Sequence, residues 1–326
     1  MNSDHSAQTM TVITQHAFGG ADVLTIGEAP RPRPVPTEVL VRVEAAGVNP
    51  VDWKTRAGAG MAAVLGEPPF VLGWDVAGVV EEVGFGVTTL AVGDRVFGMP
   101  WFPRSAGAYA QYVTAPSRQF TRMPDDLSFE QAAAVPLAAL TAWQALVDTA
   151  RVQAGQTVVI TAAAGGVGHF AVQFARQLGA RVIAVASARH HEWILAHGAA
   201  QVVDYTQTRF EDEISGADAV IELVGGGPDD TTRRAVSTLR AGGILVAVPG
   251  GVSEPVATAA AEAGVRTSPF LVEPDGAGMA TIAGMLARHE AEVEVAEVFE
   301  LTDAARAHEL GETGRTRGKI VLRVQH

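Results

Sequence analysis

The chain has 326 residues, of which 48% are apolar and 18% are charged. This length predicts about two domains, and the composition excludes a disordered or fibrous protein. The charge sum, 24 basic minus 36 acidic residues, is −12 and argues against a nucleic-acid binder. The chain has no cysteine, which excludes disulfides and every zinc site built on thiolates.

The N-terminal region has the features of neither a secretory signal nor a transit peptide. The first 30 residues contain no Lys or Arg, and Met1–Thr9 is interpreted as a short polar tail. Apolar stretches such as Ala132–Leu140 are far shorter than the ~20 residues that span a bilayer. We therefore expect a cytoplasmic protein without a membrane partner.

The region from Met10 to Pro124 has the pattern of short strands separated by Gly and Pro, which is typical of a barrel-like β domain. The proline-rich run Pro30–Pro36 is interpreted as a surface connection, since proline removes a backbone donor. The predicted strands are Glu38–Glu44, Asp75–Val83, Arg95–Phe97 and Ala108–Val113.

From Leu127 onward the pattern changes to strands that alternate with helices. Ser128 is expected to cap a helix whose first turn contains Glu130. Such alternation favours a parallel sheet covered by helices on both faces. The predicted strands are Thr157–Thr161, Arg181–Ala186, Val202–Asp204, Ala217–Leu223 and Gly243–Val248, and the helices include Val167–Gln177 and Glu192–Ala196.

After Glu273 the pattern changes again and is interpreted as a return to the first domain. The predicted elements are a helix (Ala277–His289), a strand (Glu294–Leu301), a helix (Asp303–Glu312) and a strand (Lys319–Val324). We therefore predict an α/β protein in which a doubly wound parallel sheet, residues 128–273, is inserted into a β domain formed by 1–127 plus 274–326.

A glycine loop, Ala162–Gly168, lies between a predicted strand and a predicted helix, which is the setting of a dinucleotide fingerprint. Gly165 would let the backbone approach a pyrophosphate, and Gly168 would let helix and strand pack closely. The predicted phosphate contacts come from Ala164, Gly165, Gly166, Val167 and Gly168, with the helix N-terminus adding N–H donors. Ala163 replaces the first glycine and predicts a slightly wider turn. The alternative is a structural turn that binds nothing.

The end of the second predicted strand indicates which dinucleotide is bound. NAD-binding proteins usually place an acid there, whereas this chain has Ser187 followed by Arg189, a pair that suits a 2′-phosphate. We predict NADP(H), with Ser187 and Arg189 as ligands. Alternatively, Arg189 is a solvated residue at a helix start. Tyr205 either lies against the adenine-side ribose or serves packing.

Several motifs in this order resemble zinc-free medium-chain dehydrogenases/reductases of the quinone oxidoreductase type, over nearly the whole chain. The resemblance implies a GroES-like domain, a Rossmann domain, and NADPH-dependent reduction of quinones or activated alkenes. It also implies a homodimer that pairs through the sixth Rossmann strand, near Val265–Val272. The motifs are Ala45–Lys54, Leu72–Val80, Val92–Val96, Gly107–Val113, Ala139–Trp143, Ala163–Gly168 and Gly318–Leu322.

Within this resemblance, the metal ligands are replaced. Zinc alcohol dehydrogenases carry a cysteine where this chain has Asn49, and a histidine after the glycine where this chain has Gly73-Trp74-Asp75. No metal is therefore expected. Asn49 and Lys54 are the predicted catalytic residues: the Asn49 amide would donate to the enolate oxygen, and Lys54 or a water would supply the proton. Alternatively, Asn49 shapes a turn before Pro50 and Lys54 is solvated; Asp52 is expected to cap a helix.

The resemblance also implies further cofactor contacts. Thr141 is expected on the nicotinamide side, and the backbone of Val248, Phe270 and Val272 is expected near the carboxamide. Arg317 and Lys319 are expected at the phosphate end, unless they face solvent at the start of a strand.

The predicted function is therefore NADPH-dependent reduction of a small-molecule quinone, or of the C=C bond of an α,β-unsaturated carbonyl, by hydride transfer without zinc. One alternative is an NADPH-binding regulatory or structural protein without turnover. Another is an enoyl-thioester reductase, for which Arg56 and Arg104 would supply basic residues that recognise a phosphopantetheine or coenzyme A carrier.

Overall fold

The computed structural model describes residues 8–225, 227 and 230–326, so most of the predicted tail Met1–Thr9 lies outside the described residues. The chain forms two compact units. The first contains residues 8–140, 273–289 and 293–326, and the second contains residues 141–272 and 290–292. Along the sequence, the second unit interrupts the first.

Both units contain strands and helices, numbered here in chain order. The strands are β1 (Thr9–Gln15), β2 (Leu24–Pro30), β3 (Glu38–Val48), β4 (Phe70–Val71), β5 (Asp75–Val83), β6 (Arg95–Gly98), β7 (Tyr112–Pro116), β8 (Phe120–Arg122), β9 (Thr157–Ile160), β10 (Arg181–Val185), β11 (Gln201–Val203), β12 (Ala217–Glu222), β13 (Leu239–Ala247), β14 (Arg266–Pro269), β15 (Val295–Glu300) and β16 (Lys319–Arg323). The α-helices are α1 (Pro50–Arg56), α2 (Ala62–Leu65), α3 (Phe129–Ala133), α4 (Pro136–Gln144), α5 (Gly168–Gln177), α6 (His191–Ala196), α7 (Phe210–Glu213), α8 (Thr231–Val236), α9 (Glu254–Glu262), α10 (Gly276–Ala287) and α11 (Ala304–Glu312).

The first unit is built around the long strand β3. The main sheet has the order β15-β16-β3-β5-β6-β8, with β7 also paired to β3, and a smaller sheet has the order β2-β1-β4. The valines of β3 at 39, 41 and 43 are fully buried, because they pack into the apolar core of this unit. The neighbours of β3 fix the site geometry, since Gly47 is opposite Asp75 of β5 and Val48 is opposite Ile320 of β16.

The second unit is a six-stranded sheet with the order β11-β10-β9-β12-β13-β14, in which every pairing is parallel. This is the Rossmann order, and it confirms the predicted doubly wound sheet. Val159, Val220 and Leu245 of three adjacent strands are fully buried in its core. The order reverses between β9 and β12, and ligands of such sheets bind at the carboxyl ends of the strands at this point.

Several predicted boundaries differ from the structure. The strands predicted at Glu38–Glu44 and Gly243–Val248 span Glu38–Val48 and Leu239–Ala247. Residues 128–140 belong to the first unit, because α3 packs against β3 and β5 and the Leu137 N–H donates to Asp75 Oδ1 over 2.7 Å. The predicted strand Ala108–Val113 begins instead at Tyr112. The preceding segment crosses between the sheets, with Tyr109 N–H bound to the Leu72 carbonyl and the Tyr109 carbonyl bound to Ile13.

Across the described part of the chain, no helix combines the length and the apolar character needed to cross a membrane.

Candidate functional site

Asn49 lies at the junction between β3 and α1. Its backbone is extended (φ −131°, ψ 155°), and Pro50 follows at the first helical position, where proline is favoured. The Asn49 N–H donates to Asp52 Oδ2 over 2.6 Å, so Asp52 closes the first turn of the helix as the sequence predicted. Asn49 is 1% exposed, which means that its amide needs partners inside the protein.

The Asn49 side chain binds a cation at one end and an anion at the other. Its Oδ1 accepts a hydrogen bond from Lys319 Nζ, and its Nδ2 donates to Asp75 Oδ2 over 2.8 Å. Lys319 also donates to the Val48 carbonyl over 2.9 Å, and its Nζ lies 3.6 Å from Asp75 Oδ2. Because an ammonium only donates and a carboxylate only accepts, these partners fix which end of the amide is oxygen.

Close backbone packing brings these three side chains together. A Cβ on Gly47 would lie 2.3 Å from the Ala133 carbonyl oxygen and 2.7 Å from Asp75 Oδ2. A side chain at position 47 would therefore separate α3 and Asp75 from the end of β3. Glycine at this position lets Asp75 reach both Asn49 and the Leu137 N–H.

The buried charges shift one another's pKa values. Burial raises the pKa of Asp52 to about 7 against the opposing hydrogen bond from Asn49, and burial also raises the pKa of Asp75, against the attraction of Lys319. Burial lowers the pKa of Lys319, and the attraction of Asp75 and Asp52 opposes this change. One buried ammonium thus acts on two buried carboxyl groups.

A second branch of the cluster leads from Asp52 toward the surface. Tyr109 Oη lies 3.2 Å from Asp52 Oδ2 and 3.0 Å from His308 Nε2, while Arg56 binds His308 Nδ1 over 3.2 Å and Glu312 over 2.6 Å. Since arginine only donates, His308 Nδ1 is the acceptor and Nε2 carries the proton. Burial and Arg56 lower the pKa of His308 to about 3, so the ring is neutral.

Lys54, the other predicted catalytic residue, has an exposed side chain on α1. Among the described residues, no hydrogen bond or ion pair joins this side chain to Asn49 or Asp75. The structure therefore brings Asn49 together with Lys319 and Asp75 but not with Lys54. The sequence pattern does not indicate this cluster, since the family resemblance implies Lys319 at the phosphate end of the cofactor.

The glycine loop has the predicted position between β9 and α5. A Cβ on Gly168 would lie 2.3 Å from the Ala162 carbonyl oxygen and 2.7 Å from Ala163 Cα, so the helix start packs directly on the turn. Ala162 has a left-handed backbone (φ 46°), and its carbonyl accepts the Gly165 N–H over 2.9 Å. Ala164 is buried, while Gly165, Gly166 and Val167 are partly exposed. This cradle, in which three of the five residues from Ala164 to Gly168 are glycines, fits a pyrophosphate.

Glu222, which the sequence analysis did not single out, lies at the end of β12 beside β9. Its carboxyl group is fully buried and accepts the N–H groups of Val224 (2.8 Å) and Gly225 (3.0 Å) and the hydroxyl of Thr232 (3.0 Å). Thr161 donates to it over 3.3 Å. Glu222 thus fixes the loop at the point where the strand order reverses. An acid directly after the apolar run Ala219–Ile221 is the signal that would have identified it.

The segment after β10 carries the predicted 2′-phosphate ligands. Ser187 is partly buried and precedes a short 3₁₀ turn (Ala188–His190), in which the exposed Arg189 contacts His190 over 3.0 Å. Tyr205, after β11, is 59% exposed and therefore does not serve core packing within this unit. Asp204 precedes it, and hydrogen bonds from Thr206 lower the Asp204 pKa. Both a guanidinium and a carboxylate thus lie in this region.

The remaining predicted cofactor contacts have different environments. Thr141, in α4, and Val272 are buried. The Val248 N–H donates to the Glu222 carbonyl (3.1 Å) and the Phe270 N–H to the Ala247 carbonyl (3.2 Å), at the same sheet edge as Glu222. Arg317 forms an exposed ion pair with Glu294 over 2.7 Å. Lys319 is 3% exposed in the Asn49 cluster, where β16 pairs with β3, so its ammonium does not face solvent.

No metal-binding set is present among the described residues: no group of three His, Cys, Asp or Glu side chains is arranged to hold an ion.

Comparisons with known proteins agree with both units. The family described as alcohol dehydrogenase GroES-like domain matches residues 35–125, and the family described as zinc-binding dehydrogenase matches residues 197–322. A Burkholderia 2-haloacrylate reductase is 34% identical, over 94% of this chain and 97% of that protein.

Two solved structures share the fold over nearly the full length of this chain. The quinone oxidoreductase from Coxiella burnetii is 36% identical over 98% of this chain and 100% of that one, with a TM-score of 0.91. The Escherichia coli quinone oxidoreductase complexed with NADPH is 28% identical over 96% of this chain and 99% of that one, with a TM-score of 0.86. The chain therefore belongs to the zinc-free, quinone oxidoreductase-like branch of the medium-chain dehydrogenase/reductase family, and it is an oxidoreductase.

Proposed function

We propose that this enzyme uses NADPH to reduce quinones or the C=C bond of α,β-unsaturated carbonyl compounds by hydride transfer without zinc. The observation that carries this proposal is the buried Asn49 amide. It stands where zinc alcohol dehydrogenases have a cysteine, and one of its two Nδ2 hydrogens remains after the bond to Asp75. The related 2-haloacrylate reductase is named for a substrate of the same class, an activated alkene.

The residues of the second unit fit a dinucleotide. When bound, NADPH supplies the hydride. The backbone of Ala164, Gly165, Gly166, Val167 and Gly168 would hold the pyrophosphate at the start of α5. The other proposed contacts are Ser187, Arg189 and Tyr205 at the adenine side, Thr141, Val248, Phe270 and Val272 at the nicotinamide side, and Arg317 at the phosphate end. The Lys319 ammonium already binds Val48 and Asn49, so Lys319 is not among the proposed phosphate ligands.

The residues of the first unit would act on the charge that the reaction creates. Conjugate reduction leaves negative charge on the carbonyl oxygen, and a fixed N–H donor in a dry site stabilises that charge. Asn49 would be this donor, because its amide cannot rotate without losing Lys319 and Asp75. The proton for the α-carbon would come from Lys54, whose side chain is exposed, or from water.

Only one of the two basic residues expected for an enoyl-thioester reductase is available to bind a carrier. Arg56 is 2% exposed and binds Glu312, His308 and the Gly19 carbonyl, so it does not offer a charge to an anionic carrier. Arg104 is exposed but is alone in this role.

The proposed function is tested by measuring NADPH consumption with a panel of alkenals, enones, 2-haloacrylate and quinones, and by identifying the products. We expect one NADPH oxidised for each saturated carbonyl or hydroquinone formed. A reaction without acceptor controls for oxidation by dioxygen. Tight NADPH binding without turnover of any acceptor would contradict the proposal and favour a binding protein.

A further inference from the structure

We infer that Lys319 is a positioning residue for the proposed reaction: its buried ammonium holds the Asn49 amide so that one Nδ2–H is presented to the substrate oxygen. This inference rests on the proposed function for its catalytic part. It assigns a role to a residue of β16 that lies 270 positions from Asn49 in the sequence.

The geometry of the Asn49 amide favours one orientation. Asn49 Oδ1 faces Lys319 and Nδ2 faces Asp75, so a flip of the amide would place an N–H against the ammonium and an oxygen against the carboxylate. Both contacts would then be repulsive. Without Lys319, only the Asp75 contact would oppose other rotamers of the side chain. The ammonium therefore restricts the direction of the remaining Nδ2–H.

A lysine suits position 319 better than an arginine does. The chain has 24 basic residues, and only two of them, Lys54 and Lys319, are lysines. At position 319 the compact ammonium lies against three oxygens, those of Val48, Asn49 and Asp75, and Lys319 is only 3% exposed. A planar guanidinium is larger and presents its donors in a fixed fork, so it does not reproduce these contacts.

A purely structural role makes a different prediction. Lys319 also compensates the charge of buried carboxyl groups, and its loss would lower stability in either case. Stability alone therefore does not separate the two roles. If Lys319 acts on turnover through Asn49, however, its removal has no further effect on turnover once the amide is gone.

The test is a double-mutant cycle on kcat with the intact enzyme and its best acceptor. Lys319→Met is expected to lower kcat by about 10- to 100-fold, as is usual for residues that orient a reacting group. In the Asn49→Ala background the same change should alter kcat less than about 3-fold, since a coupled pair is non-additive. The Kd for NADPH should stay the same in all variants. Equal fold-losses in the two backgrounds would overturn the inference.

Arg56→Met is the matched control, because it removes another buried cation of the same unit that does not touch Asn49. Its effect on kcat should be the same with and without the Asn49 side chain. An Arg56→Met effect that also disappears in the Asn49→Ala background would mean that the cycle reports general destabilisation, and it would overturn the inference.

A second measurement is independent of activity and of whether Lys319→Met folds. With ¹⁵N-lysine labelling, the protein has two side-chain ammonium signals, and Lys54→Arg identifies the signal of Lys319. Asn49→Ala should shift the Lys319 signal and speed its hydrogen exchange, while the Lys54 signal stays in place. An unchanged Lys319 signal would overturn the inference. Failure of the wild-type enzyme to turn over any acceptor would instead overturn the proposed function, together with the catalytic part of this inference.

Discussion

Arg189 is the side chain that we expect to select the dinucleotide. It is exposed after β10, at the place where NAD-binding proteins usually have a carboxylate that accepts a hydrogen bond from a ribose hydroxyl. Arg189→Ala should weaken NADPH binding about 10- to 100-fold, the usual value of a charge-assisted hydrogen bond, while NADH binding changes little. Fluorescence titration with both dinucleotides measures this difference.

Arg181→Ala is the control for this prediction. Arg181 is an exposed arginine at the amino end of the same strand, and its guanidinium binds Gln201 over 3.2 Å. Its loss should leave both affinities unchanged. An NADPH affinity that survives Arg189→Ala would show that Arg189 is only a solvated residue.

Asp52 and His308 should make opposite contributions to the pH dependence of stability. The folded state keeps the Asp52 proton up to a pKa of about 7, whereas the unfolded chain releases it near 3.8, so this group lowers stability as the pH rises between these values. His308 stays neutral down to a pKa of about 3, whereas the unfolded chain takes up its proton below 6.5. This group therefore lowers stability as the pH falls between 6.5 and 3.

The two effects nearly cancel between about pH 4 and pH 6.5, and substitution should reveal each of them. Relative to wild type, Asp52→Asn should make the free energy of unfolding rise with pH, by up to about 1.4 kcal/mol per pH unit. His308→Gln should change the slope by a similar amount in the opposite direction. Urea unfolding at several pH values measures both slopes. Parallel curves for the three proteins would rule out these assignments.

At the scale of elements, the turn from β9 into α5 depends on a glycine that contacts backbone. Gly168→Ala should destabilise the protein by about 1–3 kcal/mol and weaken NADPH binding, since a Cβ would lie 2.3 Å from the Ala162 carbonyl oxygen. Gly284, inside α10, is the matched control because the nearest atom to its added Cβ is the flexible Arg288 Nη1 at 3.1 Å. Gly284→Ala should stabilise by about 0.5–1 kcal/mol. Thermal unfolding measures both changes in stability. A gain of stability in both variants would contradict this account.

Local elements were predictable because their signals are short-range. The glycine loop lies between a strand and a helix as predicted, Gly179 follows α5 with a left-handed backbone (φ 78°), and Ser128 Oγ accepts the Gln131 N–H over 3.1 Å at the start of α3.

The Asn49 cluster was not predictable in the same way. A lysine at the start of a strand has the same local pattern whether it faces solvent or the interior. Its burial follows from the pairing of β16 with β3, which joins residues far apart in the sequence. Likewise, Lys54 follows Asn49 closely in the chain, but the turn of α1 leaves its side chain exposed. Asn49 and Lys54 are thus close in sequence but lie in different environments. Asp75 and Lys319, which are distant in sequence, meet at Asn49 because β5 and β16 both pair with β3.

At the scale of the whole molecule, we propose a homodimer that pairs through the edge of the Rossmann sheet. β14 is the edge strand of this sheet, and Leu271, just after it, is 53% exposed. An exposed edge strand favours pairing with a second copy. Light scattering should give twice the chain mass of 34.0 kDa.

Leu271→Glu should shift this mass toward the monomer, because a charge beside a paired edge strand is unfavourable. Phe85→Glu is the control, since Phe85 is 88% exposed in the first unit and lies outside the proposed interface. That variant should keep the dimer mass. A monomeric wild-type protein would refute the proposed assembly.

Single-turnover kinetics test whether Asn49 replaces a metal ligand as the donor to the developing oxyanion. The rate of NADPH oxidation after mixing with an enone should fall about 100- to 1000-fold in Asn49→Ala, the usual loss for one oxyanion donor, with the Kd for NADPH unchanged. A variant that oxidises NADPH as fast as the wild-type enzyme would contradict the claim and reduce Asn49 to a residue that shapes the turn before α1.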